Sequence, residues 1–364
     1  MRIAQIAPLC ESVPPKLYGG TERVVSYLTE ELVRQGHEVT LFASGDSTTE
    51  ADLVPCCDAA LRLADGAHDI VPYHVTQIEQ VRARAGTFDV LHFHTDYLHF
   101  PLMRQTDVAS LTTLHGRLDM PWVAPFYRAF RDHPLVSISD HQRLPMPKVN
   151  WAATIHHGLP PDLLPFCPAP RPMEDAGYLA FLGRISPEKR PDRAIEIAVR
   201  TGHRLKIAAK IDRVDEEYWT TMIKPMVDAS PLIEYVGEIN EAQKAGFLGG
   251  ATGLLFPIDW PEPFGLVMIE AMSCGTPVLG YACGSVPEIL CNGVTGFVVS
   301  RMDEACAAAP RLATLDRAAI RREFDTRFSA FTMAGNYLRI YESLMGERIE
   351  SWEGARVRRA CLAA

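Results

Sequence analysis

Two glutamates, Glu262 and Glu270, stand eight residues apart across a Pro-Phe-Gly turn made by Pro263, Phe264 and Gly265. After Leu266 the chain runs into a helix read over Met268-Ile269-Glu270-Ala271-Met272-Ser273. A helix start presents free backbone N–H groups and partial positive charge, so it can receive a phosphate. Glu270, about one turn into that helix, could take both hydroxyls of a ribose, as the acidic residue of dinucleotide folds does. Phosphate with ribose beside it describes a nucleoside diphosphate. A capped surface helix carrying two ordinary glutamates explains the same residues when they are taken alone.

A second constellation shifts that balance. Gly183-Arg184 closes an apolar strand, Tyr178-Leu179-Ala180-Phe181-Leu182, and Lys189 follows five residues after Arg184, ahead of a helix over Pro191–Thr201. In open α/β sheets ligands bind at the carboxyl ends of strands. Arginine offers a planar fork and lysine a point charge, and both suit a diphosphate. The plain alternative is a solvated loop with two basic residues.

Taken in order along the chain, these motifs resemble the retaining nucleotide-sugar glycosyltransferases of family 4. The resemblance rests on Gly183-Arg184 with Lys189, Glu262-x7-Glu270, Ala271-Met272-Ser273-Cys274-Gly275-Thr276-Pro277, Pro287-Glu288-Ile289 and Asn292-Gly293-Val294-Thr295-Gly296. In the first half it rests on Tyr18-Gly19-Gly20-Thr21-Glu22-Arg23, Gly36-His37-Glu38-Val39-Thr40 and Leu91-His92-Phe93-His94-Thr95-Asp96. It spans residues 1–345. The fold it implies is α/β GT-B: two Rossmann-like domains with parallel sheets facing a central cleft.

The resemblance also implies roles. Arg184 and Lys189 would neutralise the leaving diphosphate. Glu262, with the backbone of Phe264, Gly265 and Leu266, would face the donor sugar and β-phosphate, and Glu270 would hold the ribose. The Gly19-Gly20 loop would close over the diphosphate, and His115 would orient the sugar. His94 and Asp96 would line the acceptor side. The reaction implied is transfer of a hexose from a nucleotide sugar, UDP-sugar favoured, to a hydroxyl acceptor (a saccharide, lipid-linked or small molecule) with retention. No residue stands out as a covalent nucleophile. Two positions depart from the family pattern: Arg190-Pro191 follows Lys189 where glycine is common, and His157 stands where asparagine is usual.

Read without the resemblance, the first-half residues say less. Gly19-Gly20 lies between a strand and a helix, where glycine lets backbone approach a phosphate, but it is not the G-x-G-x-x-G of dinucleotide folds. His115 follows an apolar strand, and a lone histidine there is more often structural. His92, His94 and His99 suggest a metal cluster, yet a site would want a further fixed ligand, for which Asp96 is a candidate. No metal and no cofactor is expected; the nucleotide sugar is a co-substrate.

Composition bounds the class. The 364 residues are 47% hydrophobic and 22% charged, enough for two cores of ordinary domain size. The net charge of −9, with no strongly basic stretch, argues against a nucleic-acid partner and against docking on anionic lipid. Nine cysteines without C-x-x-C spacing suit reduced, mostly buried thiols. No apolar run approaches the ~20 residues needed to span a bilayer. The expected setting is cytoplasmic, with at most peripheral contact at the inner membrane face.

The elements that must position these residues alternate. Strands are expected at Ile3–Ala7, Glu38–Ala43, Val90–Phe93, Ser110–Leu114, Leu135–Ile138 and Ala153–Ile155, with a helix from an N-cap at Thr21 through Gln35. The stretch Gly158–Gly177 holds six prolines and reads as the domain boundary. A second alternation has strands at Leu179–Leu182, Arg204–Ala209, Ile233–Val236, Gly253–Phe256, Pro277–Gly280 and Gly296–Val299. Domains are expected at 1–165 and 166–345, with a terminal helix over Phe331–Met345 crossing back and a frayed tail at 346–364. Completing the site from both domains would favour a closed arrangement on donor binding. Competing readings are a GT-B nucleotide-sugar epimerase, a nicotinamide oxidoreductase lacking its glycine fingerprint, and a non-catalytic nucleotide-sugar-binding protein.

Overall fold

The computed structural model describes the backbone of residues 1–16, 19–63, 69–169 and 177–362, and side chains for the same residues except 63 and 347–362. Tyr18 of the glycine motif, Pro170 and Pro172 of the proline stretch, and the last two residues of the tail lie outside the described residues. The chain forms two compact units, one of Met1–Ile138, Arg143–Gly158 and the chain from Ala330 onward, the other of Ser139–Gln142 and Leu159–Ser329.

The first unit holds β1 (Arg2–Ile6), β2 (Glu38–Ser44), β3 (Asp52–Cys57), β4 (Val90–Phe93), β5 (Ala109–Thr113), β6 (Leu135–Ser137) and β7 (Trp151–Thr154). Their order is β3-β2-β1-β4-β5-β6-β7, every pair parallel. The sequence reading missed β3. Pro55 lies within it, and proline is tolerated there because β3 is an edge strand with a register irregularity. Cys57, next to Cys56 in the chain, ends that strand.

Helix α1 (Gly20–Arg34) buries Val24, Val25, Leu28 and Leu32, the 3–4 spacing that packs one face on the sheet. It starts one residue ahead of the expected Thr21 cap. Gly19 is the N-cap, and no side chain caps it. A Cβ at Gly19 would lie 2.8 Å from Pro15 Cβ and 3.2 Å from Glu11 Cγ, so close approach demands glycine there. The helix ends where Gly36 turns to φ 85°.

The second unit holds β8 (Tyr178–Arg184), β9 (Arg204–Lys210), β10 (Ile233–Gly237), β11 (Gly253–Phe256), β12 (Val278–Tyr281) and β13 (Gly296–Val299). The order is β10-β9-β8-β11-β12-β13, again all parallel. Between strands run α2 (Pro191–Thr201), α3 (Glu241–Gly249) and α4 (Leu266–Ser273). The core gathers Leu179, Phe181, Ile195, Ile197, Leu205, Ile207, Leu255 and Leu279, all buried.

A buried cation braces this unit without a carboxylate. The Arg317 guanidinium donates to the carbonyls of Cys167 (2.8 Å), Ala251 (2.9 Å) and Gly249 (2.9 Å) and to Thr276 Oγ1 (2.7 Å). Its planar fork satisfies several acceptors at the ends of α3 and α4 at once.

The terminal helix α5 runs Ala330–Leu362, beyond Met345, so the tail expected to be frayed from 346 is helical through Leu362. Tyr337 and Tyr341 are buried on the first unit's sheet, where the β-strand residues His92 and Thr113 meet them. The thiols are less buried than expected. Among the eight described cysteines, Cys56 and Cys274 are buried, Cys291 is exposed and the rest are half-buried; none forms a disulfide.

Candidate functional site

Each sheet reverses its strand order once, between β1 and β4 in the first unit and between β8 and β11 in the second. Chains leave two such strands toward opposite faces, which opens a crevice at their carboxyl ends. The residues singled out from sequence gather at those ends.

In the second unit, Arg184 is the last residue of β8, two residues beyond the strand end expected at Leu182. Its guanidinium reaches Glu188 Oε1 at 3.0 Å, Asp212 Oδ2 at 3.5 Å and Asp215 Oδ2 at 3.9 Å. Lys189 pairs with Glu262, which lies beyond the end of β11. The Trp260 indole N–H donates to the same carboxylate oxygen at 2.9 Å, and the Lys189 ammonium stands 4.7 Å from the Trp260 ring centroid. At 16% and 12% exposure, the Lys189 and Glu262 side chains are screened little by solvent. Both cations are therefore already engaged with carboxylates, which the spacing in the chain did not disclose.

Arg190 follows Lys189 with φ 54°, a left-handed conformation that glycine takes without steric conflict. This is the position where the family pattern has glycine. Here the guanidinium bonds Asp192 (2.7 to 3.1 Å) and Asp259 (2.8 Å), which holds the strained turn and raises the arginine pKa.

Gly265 caps α4 with φ 82° and Phe264 is buried beside Phe328. The Phe264 carbonyl accepts from Ser285 Oγ at 2.7 Å. Leu266 begins the helix, two residues earlier than the sequence suggested. Gly284 presses on the backbone of Glu262: a Cβ there would lie 2.4 Å from the Glu262 nitrogen. Glu270 is buried on α4, and Lys244 of α3 donates to its Oε1 at 2.7 Å. Lys244, like Trp260, gave no sequence signal. Glu288 of the Pro-Glu-Ile motif accepts the backbone N–H groups of Asp140 and His141, each at 2.7 Å.

In the first unit, Gly19 and the exposed Gly20 begin α1 after the β1 loop. Beneath them Glu11 pairs with Arg62, and burial raises the carboxyl pKa of Glu22. Asp96 is exposed at the end of β4 and takes φ 50°, uncommon for a non-glycine residue.

His94, just past β4, donates or accepts at both nitrogens: Nδ1 is 2.9 Å from His115 Nε2 and Nε2 is 2.8 Å from Gln5 Oε1. His92 is likewise committed, to Tyr341 at 2.7 Å and Thr113 at 2.7 Å. His99 belongs to a separate network with Thr112 at 2.7 Å and stacks on Phe93. The three histidines thus spend their nitrogens on protein partners, and no group of three metal-ligating side chains converges among the described residues. His157 stacks on His115, centroids 5.2 Å apart and planes 19° apart. Burial pushes His115 down to about 3 and His92, His94 and His157 well below the ordinary histidine range.

Comparison with known proteins agrees with this geometry. Residues 18–174 match the profile described as Glycosyltransferase Family 4, and residues 169–327 that described as Glycosyl transferases group 1. The chain is 25% identical to the phosphatidyl-myo-inositol mannosyltransferase of Mycolicibacterium smegmatis, over 96% of each chain. It is 30% identical to the D-inositol 3-phosphate glycosyltransferase of Streptomyces avermitilis, over 37% of this chain and 31% of that protein. The fold superimposes on the sucrose-phosphate synthase of Thermosynechococcus elongatus (TM-score 0.76, 18% identity, 95% and 100% coverage). It also superimposes on Anabaena HepE in complex with UDP and glucose (TM-score 0.70, 16% identity, 94% and 100% coverage). With two parallel Rossmann-like sheets and both profiles matched in order, the chain is a family 4-like glycosyltransferase of GT-B fold.

Proposed function

We propose that this enzyme moves a hexose from a nucleotide sugar, UDP-sugar favoured, to a hydroxyl acceptor with retention of configuration and without a metal ion. The observation that carries the reading is the gathering of Arg184, Lys189, Glu262 and Glu270 near the carboxyl ends of β8 and β11 and the start of α4. Charge grows on the diphosphate as the glycosidic bond breaks. Preorganised cations and helix N–H groups stabilise that charge without reorganisation at the moment of reaction. The diphosphate competes with Glu262 for Lys189, and with Glu188 and the two aspartates for Arg184. Release of those carboxylates on binding gives the cations to the phosphates only when the donor is present.

Glu270 holds the ribose, oriented by Lys244. Glu262 and the backbone of Phe264, Gly265 and Leu266 face the donor sugar and β-phosphate. In the first unit, Gly19 and Gly20 serve the diphosphate, His115 the donor sugar, and His94 with Asp96 the acceptor side. The UDP and glucose bound by HepE favour a UDP-hexose, and the name of the mycolicibacterial relative favours a lipid-linked acceptor among the possible hydroxyls. The described residues include no helix long and apolar enough to cross a membrane, and the reading keeps the protein cytoplasmic with peripheral contact at most.

Thermal-shift titration with nucleotide sugars tests the donor, since a ligand at a hundred times its Kd adds about 2.7 kcal/mol to stability. Stabilisation by UDP-sugars, followed by a product of the donor's own anomeric configuration, is the expected outcome. No stabilisation by any nucleotide sugar, or an inverted product, would overturn the reading.

A further inference from the structure

Opening the Lys189–Glu262 pair to a diphosphate uncovers two charges at once, and one neutral residue touches both. The Trp260 indole N–H donates to Glu262 Oε2 at 2.9 Å, the oxygen that Lys189 also holds. The Lys189 ammonium stands over the same ring, 4.7 Å from its centroid, and 5.9 Å from the Phe256 centroid. Phe256 in turn lies against the start of α4: a Cβ on Gly265 would be 3.1 Å from Phe256 Cζ. The cation is thus held by two rings close to a helix N-terminus, where a phosphate would be received.

Trp260 does not depend on the ion pair for its place. Its carbonyl accepts from the Glu262 N–H at 2.8 Å and from Cys283 Sγ at 2.9 Å. The N–H of the preceding residue, Asp259, donates to the Glu188 carbonyl at 2.9 Å. Pro261 stands between Trp260 and Glu262, and its ring fixes φ there.

The two contacts differ in what they use. The indole N–H is a donor only, and it goes to the carboxylate. A cation–π contact uses the charge of the ammonium and none of its three N–H groups. When Lys189 turns those groups to phosphate oxygens, the ring contact persists and Glu262 keeps one hydrogen bond. Without the indole, the departing ammonium strands a carboxylate that is only 12% exposed, which is costly.

We propose that Trp260 is a positioning residue of the donor site: it keeps the Glu262 carboxylate and the Lys189 ammonium in place while their ion pair opens to a diphosphate. The inference rests on the diphosphate role proposed above for Lys189. Trp260 acts through its two charged neighbours and touches no reacting atom.

Calorimetric titration of UDP into the full-length wild type, Trp260→Leu, Trp260→Phe, Lys189→Ala and the double variant Lys189→Ala with Trp260→Leu tests this. Trp260→Leu should weaken UDP binding about tenfold, the size of a partly desolvated cation–π contact. Trp260→Phe keeps the ring and loses the N–H, so its affinity should lie between the two. In the Lys189→Ala background there is no pair to open, and Trp260→Leu should cost nothing further. A general loss of structure would cost as much in either background. Wild-type affinity in Trp260→Leu, an equal loss with and without Lys189, or a Trp260→Phe no better than Trp260→Leu would overturn the proposal.

Exchange of the Trp260 indole proton with water, followed by NMR, reads the carboxylate contact and needs no folded Trp260→Leu. Its signal is assigned by its absence from Trp260→Phe. The proton should exchange slowly in the free protein and at saturating UDP, and faster in Glu262→Ala. Fast exchange in the UDP complex would overturn the proposal while leaving the diphosphate site intact. A wild type that binds no UDP would instead refute the diphosphate reading, and this inference with it.

Discussion

Lys189 and Glu262, 73 residues apart in the chain, meet as an ion pair, with the Trp260 indole N–H on the same carboxylate oxygen. The pair joins the β8–α2 loop to the segment after β11, the two sides of the sheet's switch point. A pair so little exposed needs both partners, because removing one leaves the other charge poorly solvated.

Arg184→Ala and Lys189→Ala should each lower turnover by about 2–4 kcal/mol of transition-state stabilisation, the size seen for other preorganised charge-stabilising groups. Steady-state kinetics with a UDP-sugar checks this. Wild-type rates in either variant refute its role.

Glu270→Ala should weaken donor binding more than it slows the step after binding, since a ribose contact exists in ground and transition states alike. The variant also leaves the Lys244 ammonium without its 2.7 Å partner, so Glu270→Ala with Lys244→Met should fold more stably than Glu270→Ala alone. Calorimetric donor affinity equal to wild type in Glu270→Ala would remove the ribose assignment.

Gly284→Ala places a methyl group against the Glu262 backbone at a φ of 58°, so both strain and collision act together. Loss of stability by about 1–3 kcal/mol is expected, along with weakened donor binding. Denaturant midpoints and donor titration read the two effects. A neutral Gly284→Ala would mean that the Glu262 backbone tolerates displacement.

His92, His94, His99, His115 and His157 all have depressed pKa values caused first by burial. The native state keeps them neutral while the unfolded chain takes up protons below pH about 6.5, the ordinary histidine value. Protons therefore favour the unfolded state, and stability should fall as pH drops below that value, by about 1.4 kcal/mol per pH unit for each histidine that titrates only on unfolding. Urea denaturation at pH 7.5, 6 and 5 measures it; a level profile would contradict the burial of the cluster.

Much of the architecture is legible in the sequence. Apolar runs at regular spacing set twelve of the thirteen described strands to within two residues at either end; at β8 the strand continues two residues past its apolar run, through Gly183-Arg184, which carries Arg184 onto the strand. The exception among strands is β3, where Pro55 masks an edge strand. The cap of α1 was misread because Thr21 is a good capping residue and only packing against Pro15 and Glu11 makes Gly19 the boundary. Within the site, residue types were legible and their partners were not. Nothing along the chain ties Lys189 to Trp260, Glu270 to Lys244, or Gln5 to His94. Those pairs come from separate strands and helices, and only the parallel sheet order brings them together.

Full activity in excess EDTA is expected, because Arg184 and Lys189 supply the positive charge a metal would otherwise provide. Loss of activity on chelation, restored by added manganese or magnesium, would contradict a metal-free reaction.

The most direct test of the diphosphate site is calorimetric titration of UDP and of uridine, in EDTA, against the wild type, Arg184→Ala and Lys189→Ala. The wild type should bind UDP far more tightly than uridine, and each substitution should narrow that gap by tenfold or more, about 1.4 kcal/mol, while leaving uridine binding unchanged. A wild-type protein that binds UDP no better than uridine, or a gap that survives both substitutions, would contradict the assignment of Arg184 and Lys189 to the phosphates.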